Sequence, residues 1–212
     1  MKPIFGFIVG LLCLSKSSFA LVDPASLVMN VYTAWISPSQ DCSSPLLVFD
    51  SGGAPKPFDM LKAPTLGGGN PPDGTYPCLI LKMSSVVTVV PATTEGSCIA
   101  GQAFSHSICR ADNGGVTTPI VAGNFVTDKA CVGAGTDDPP TDNKVFLYLS
   151  TGSTLVKGSA FQRPTIPTNG IMLGAPFVVN GASAGTFVVS GAGAVNGSGA
   201  RCKMNTPTFS FR

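Results

Sequence analysis

Charge is scarce in this chain. Its 212 residues hold 13 Lys and Arg against 11 Asp and Glu, with one histidine and one tryptophan. Removing Lys2 and Lys16, which fall in a leader-like N-terminus, leaves eleven basic residues against eleven acidic ones. That balance excludes a nucleic-acid binder working by phosphate neutralisation, which needs a clustered basic surplus. No segment after the leader has the 18 or so consecutive apolar residues of a membrane-spanning helix. Long helical runs are missing as well, because 25 glycines and 18 prolines interrupt the chain and both residues break helices. Yet 44% hydrophobic content at low charge is the reverse of a disordered composition.

Residues 1–20 read as a secretory signal: Lys2 as the positive region, 4–14 as the apolar stretch, and Ser18-Phe19-Ala20 as a small-x-small cleavage site. Cys13 lies within it, and the preceding Gly10-Leu11-Leu12 is a poor context for acylation. Six cysteines follow: Cys42, Cys78, Cys98, Cys109, Cys131 and Cys202. An even number in an exported chain points to disulfides, with 15 possible pairings. Cys98 with Cys109 is the local candidate, closing a short loop worth roughly 3 kcal/mol in the chain-entropy model. A competing metal site would use Cys98, His106, Cys109 and Cys131, but no Cys-x-x-Cys knuckle accompanies them.

Along the chain, short β-prone runs alternate with Gly, Pro, Asn and Asp. Residues 26–36 alternate loosely, placing Leu27, Met29, Val31 and Trp35 on one side and Asn30 and Tyr32 on the other. Residues 46–49 form a brief apolar strand, and 58–61 reads equally as a strand or a helical turn. The clearest strand spans 76–90: Leu79, Leu81, Met83, Val87 and Val89 form an apolar face with the period of two that a half-buried antiparallel strand requires. Its length predicts a bend near Ser84-Ser85. Residues 145–150 restore strand character, with Val145, Leu147 and Leu149 on one face. The runs 176–179 and 186–189, separated by Asn180-Gly181, read as a hairpin, and 208–211 as a closing strand paired with the other terminal strand. Frequent strands without a long helix predict an all-β fold: a single antiparallel β-sandwich, immunoglobulin-like or transthyretin-like, over 21–212. The region 92–143 is expected to be an irregular, cysteine-containing loop insertion.

Little in the chain announces catalysis. His106 is the sole imidazole, and no Gly-x-Ser-x-Gly elbow surrounds a serine. A lone histidine beside two cysteines reads first as a packing or surface residue. Asp137, Asp138, Asp142 and Asn143 cluster the hard oxygen donors that Ca²⁺ prefers, although Asp and Asn are also ordinary turn residues. No other cofactor is expected. Trp35, Tyr32 and Tyr76 are the candidates for a sugar-stacking platform, with the alternation separating Trp35 from Tyr32. Asn196-Gly197-Ser198 fits the N-glycosylation acceptor pattern.

The segment Pro72-Asp73-Gly74-Thr75-Tyr76 followed by Cys78, with Ser150-Thr151-Gly152-Ser153 and the terminal Pro207-Thr208-Phe209-Ser210-Phe211, resembles uncharacterised exported bacterial proteins that combine a Pro-x-Gly-x-Tyr strand entry with several cysteines. The resemblance implies a β-sandwich envelope or surface protein and carries no activity or site residues.

These readings lead to a secreted, periplasmic or cell-surface protein of non-catalytic character. It is expected to be structural, adhesive or ligand-binding, with a surface glycan or envelope protein as partner. A pilin-like subunit assembling by strand exchange and a secreted hydrolase with its site in 92–143 are the alternatives.

Overall fold

A computed structural model describes residues 20–65, 69–107, 144–152, 171–181 and 183–212. Residues 1–19 with Cys13, the cysteines Cys109 and Cys131, and the candidate calcium ligands Asp137, Asp138, Asp142 and Asn143 lie outside the described residues.

The described chain is all-β. Its strands are β1 (Pro24–Ser37), β2 (Leu46–Asp50), β3 (Lys56–Asp59), β4 (Gly74–Tyr76), β5 (Cys78–Pro91), β6 (Phe104–Ser107) and β7 (Lys144–Ser150). They continue with β8 (Ile171–Met172), β9 (Phe177–Asn180), β10 (Ser183–Ala184), β11 (Phe187–Ser190), β12 (Val195–Asn196), β13 (Lys203–Met204) and β14 (Thr208–Phe211). The helical content among the described residues is a single 3-10 turn, Met60–Lys62. The stretch 58–61 therefore takes both of its possible forms, strand first and turn second.

Two 14-residue strands, β1 and β5, form the antiparallel centre of a seven-stranded sheet. Each long strand is flanked by two short ones. β3 pairs with the first half of β1 and β2 with the second, while β7 pairs with the first half of β5 and β6 with the second. β8 joins β7 in parallel; the other pairs are antiparallel. The changeover coincides with bulges. Between Met29↔Val87 and Val31↔Met83, β5 uses two residues more than β1, at the Ser84-Ser85 position where the sequence predicts a bend. Ser84 Oγ accepts the freed Val86 N–H at 3.1 Å, so the irregularity leaves that donor satisfied.

The inner face of this sheet supplies Leu27, Met29, Ile36, Leu81 and Val87 to one buried cluster. Val179, Phe187, Val195, Met204, Phe209 and Phe211 complete it from three smaller sheets: β10-β9-β4, β11-β14 and β12-β13. Each fully buried aromatic or Leu contributes about 1.5–3 kcal/mol from removal of its surface from water.

The expected hairpin between 176–179 and 186–189 is not formed. Gly181 (φ +60°) supports a tight turn that pairs β9 with the short β10, and two-residue turns of this kind match strand twist better than longer ones. β11 is thereby released to pair with β14. The chain's last residues are apolar because Phe209 and Phe211 enter the core. They do not pair with the first strand: β1 sits in the large sheet, and Val22 bridges Val195.

Cys98 is bonded to Cys202, with Cα atoms 4.7 Å apart, and Cys42 to Cys78 at 5.4 Å. Both the local Cys98–Cys109 bridge and the metal set containing Cys98 are corrected by this pairing. The reason lies at Gly197. Ser97 N–H donates to the Gly197 carbonyl at 3.1 Å, and a Cβ at Gly197 would lie 1.8 Å from the Glu95 carbonyl oxygen. That close approach seats the 95–98 turn on the β12–β13 region and turns Cys98 to Cys202. Of the stretch read as an insertion, 92–107 is described, and its β6 belongs to the large sheet.

Asp59 closes β3 and starts the 3-10 turn. Its carboxylate accepts from Leu27 N–H (3.2 Å), Leu61 N–H (3.3 Å) and Ser26 Oγ (3.2 Å), and pairs with Lys62 at 3.3 Å. Desolvation is the largest single influence and pushes the carboxyl up, but the Leu27, Lys62, Leu61 and Ser26 contacts together hold it below its ordinary value of 3.8.

Two predictions follow from these ties. In the chain-entropy model the Cys98–Cys202 link, with a separation of 104 residues, is worth about 5 kcal/mol, against about 4 for the 36-residue Cys42–Cys78 link. The C98A/C202A variant is therefore expected to lower the urea midpoint more than C42A/C78A does. Asp59→Asn is expected to cost about 1–3 kcal/mol at neutral pH. Because the folded pKa is depressed, this stabilisation is complete above pH 3.8 and is lost as pH falls through the lower folded value. Equilibrium unfolding of wild type and Asp59→Asn against pH should converge only in that acid window.

Candidate ligand-binding face

One extra residue in β1 shapes the outer face of the large sheet. From Val31↔Met83 to Thr33↔Lys82, β1 advances two residues and β5 only one. Side chains alternate strictly along a strand, so such a bulge inverts the faces beyond it. Leu27, Met29 and Val31 point to the core before the bulge; after it, Ala34 and Ile36 do. Trp35 therefore leaves the core side and joins Tyr32 on the outer face. This corrects the expected separation of the two rings. Tyr76 goes the other way: it is 4% exposed, packs 6.1 Å from Phe177, and donates its hydroxyl to the Pro72 carbonyl at 2.7 Å.

Register places the outer residues in two cross-strand rows. Asp50, Thr33, Lys82 and Phe146 follow one another across β2, β1, β5 and β7, and Leu47, Trp35, Ile80 and Tyr148 form the next row. Toward β7 the rows are buried: Ile80, Phe146 and Tyr148 are at most 1% exposed and cluster with Trp35 and the Cys42–Cys78 disulfide. Toward β2 they open into a depression of about 440 Å³, walled by Tyr32, Trp35, Leu47, Asp50, Lys82 and Lys144. The Lys144 ammonium stands 4.7 Å above the Tyr32 ring, and Lys82 lies 5.9 Å from the Phe146 ring. Trp35 meets Phe146 with centroids 6.1 Å apart. The depression thus has an aromatic floor on a packed support, the Asp50 carboxylate at its β2 end, the two ammonium groups toward β5 and β7, and the Thr33 hydroxyl between them.

The loop after β1 braces the supported end. Ser37 Oγ donates to the Ser43 carbonyl, and Ser150 Oγ donates to the Gln40 carbonyl at 2.6 Å. Gln40 Nε2 reaches Thr151 Oγ1 at 3.2 Å. Asp41 accepts from Ser39 Oγ at 2.6 Å and Ser43 N–H at 2.9 Å. The Ser39 hydroxyl, then the Ser43 contacts, pull the Asp41 carboxyl down to about 2. Cys42 adopts a left-handed φ of +61° between them, and its disulfide to Cys78 fastens the loop to β5.

Two further sequence candidates lie among the described residues. His106 falls on β6 opposite Val87. Asn196 ends β12, its side-chain oxygen accepting Ser198 N–H at 2.9 Å. Among the described residues no group of three or more His, Cys, Asp or Glu is arranged to hold a metal ion. A second cleft of about 270 Å³, between Val48 and Leu79 on one side and Phe177, Phe187 and Phe211 on the other, is mainly apolar. Lys82 and Lys144 were absent from the sequence candidates. Only register could have found them, since it is pairing across strands that puts them beside Tyr32 and Trp35.

No family model, curated protein or solved structure matches the chain, so the site is read from its own chemistry.

Asp41 offers a direct check on the brace. Its carboxyl resonance should titrate with a midpoint near 2 in the folded protein. A depressed folded pKa means the bracing contacts are present above the ordinary value of 3.8 and lost as pH falls through about 2. A midpoint near 3.8 would mean the loop does not hold this geometry in solution.

Proposed function

We propose that this chain is an exported, disulfide-locked β-sandwich that binds saccharide on the outer face of its large sheet, as a non-catalytic module of the cell surface or extracellular space. The observation that carries this reading is the single-residue bulge at Tyr32-Thr33, which brings Tyr32 and Trp35 to one open face. Pyranose rings present C–H faces that pack on aromatic rings, while their hydroxyls seek polar partners at the edge, and rings with one apolar and one wet side suit that role. Thr33 and Asp50 supply the edge groups here. Ile80, Phe146 and Tyr148 hold the floor in place beneath, which lowers the ordering cost of binding.

Export is supported by the leader-like N-terminus and by the two disulfides, which persist in oxidising compartments. Among the described residues no helix is long and apolar enough to cross a membrane. A layered sandwich is supported by the shared core of the large sheet and the three smaller ones.

Trp35 is the only tryptophan, so its fluorescence reports on this face alone. A glycan array on the oxidised mature chain, followed by titration of the responding sugars, should change Trp35 emission saturably. Tyr32→Ala should weaken binding by about two- to tenfold, the equivalent of the roughly 0.5–1.5 kcal/mol of an aromatic stacking contact, without altering the unfolding midpoint appreciably. Sugars that bind with no change in Trp35 emission and no effect of Tyr32→Ala would place recognition elsewhere and overturn the reading.

A further inference from the structure

The depression is electrically lopsided, and that asymmetry narrows the class of saccharide. Asp50 stands on β2 and Lys82 two strands away on β5 in the same cross-strand row, a separation of about 10 Å at the usual strand spacing. Lys144 pairs with Ser84, two residues along from the Lys82↔Phe146 pair. The two lysines are thus diagonal neighbours on one face, with side-chain origins about 7–8 Å apart. Among the described residues neither ammonium is held in an ion pair. Lys144 instead rests over the Tyr32 ring.

That resting place matters for selectivity. A sugar stacking on the Tyr32 face that Lys144 covers displaces the ammonium and forfeits its cation–π attraction. A neutral sugar offers nothing in return. A sugar carrying an anionic substituent gives the displaced ammonium a new partner, and Lys82 lies within reach of the same group. Charge-assisted hydrogen bonds to a carboxylate or sulfate are the stronger kind, while Thr33 beside Lys82 and Asp50 beyond it remain for hydroxyls. Asp50, in turn, repels an anion placed at the wrong end and so orients the ring.

We infer that the Tyr32–Trp35 face selects acidic saccharides, stacking the ring on the aromatic floor and holding its anionic substituent between Lys82 and Lys144. This rests on the saccharide-binding reading above, and the test separates the two. The probes are tetragalacturonate, its fully methyl-esterified counterpart, and polyglutamate of similar charge, titrated into the oxidised mature chain while following Trp35 emission at low and moderate salt. Tetragalacturonate should bind at least tenfold more tightly than the ester, and the preference should shrink with added salt. K82Q/K144Q should reduce the preference for acid over ester to less than twofold.

Equal binding of acid and ester overturns the acidic selectivity and leaves saccharide binding standing. Polyglutamate binding as tightly as tetragalacturonate also overturns it, since the face would then be reading charge alone. Binding of neither saccharide overturns this inference, and the function falls with it if the glycan array is silent too. Should K82Q/K144Q fail to fold, the acid-to-ester ratio and its salt dependence in the wild-type protein decide the matter alone.

Discussion

A strand shows its two faces alternately, so one additional residue in β1 governs everything beyond it. The bulge at Tyr32-Thr33 lets a single strand serve two layers: Leu27, Met29 and Val31 enter the main core from its first half, Ala34 and Ile36 from its second. Without the phase change Trp35 would compete for core space already filled by Phe187, Phe209 and their neighbours. With it, Trp35 packs against Ile80, Phe146 and Tyr148 on the opposite side. A sheet apolar on both faces needs cover on both, and the two disulfides lie at those two covers. Cys98–Cys202 ties the 95–98 turn to the small sheets on the core side, while Cys42–Cys78 straps the loop after β1 onto the outer side.

Low charge gives these cross-links their importance. The chain has few charges to pair; the ion pair between Lys62 and Asp59 lies within a single turn of chain, and its lysine side chain is largely exposed. Such pairs add little. Ordering is therefore achieved through apolar burial, covalent closure and neutral hydroxyl bonds such as Ser150 to Gln40 and Ser37 to Ser43. Asp59 is the exception that shows the rule: its value lies in the two backbone N–H groups it satisfies where β3 gives way to the 3-10 turn, more than in its lysine.

How much of this was legible beforehand follows from the range of each signal. The β5 alternation and its break at Ser84-Ser85 are local, and both are found as expected. The all-β class came from the density of turn residues, also local. What failed was non-local. Cys98 looked nearest to Cys109 along the chain, but proximity in sequence says nothing of the approach at Gly197 that presents Cys202. The Asn180-Gly181 signal correctly marked a hairpin and misassigned its second strand, because β11 finds a better partner in the aromatic β14 than in β9. The parity of Tyr32 and Trp35 was misread for a different reason: a bulge at Tyr32-Thr33 leaves no Gly, Pro or serine pair in the sequence to announce it.

The candidate site inherits this geometry. Its aromatic floor rests on residues buried to completion, so Trp35 has little freedom to lose when a ligand stacks on it. Its charged groups, by contrast, stand on three different strands and meet only because β2, β5 and β7 are in register around β1. A shift of one residue in any pairing would exchange Lys82 for Leu81 or Lys144 for Val145 and turn the ammonium groups to the core. Binding chemistry and core packing are thus fixed by the same registers: whatever holds Leu81 and Leu147 inward also holds Lys82 outward. A protein with a formal net charge of only +2 can in this way keep a local cationic edge, because the edge depends on where the lysines are placed and not on how many there are.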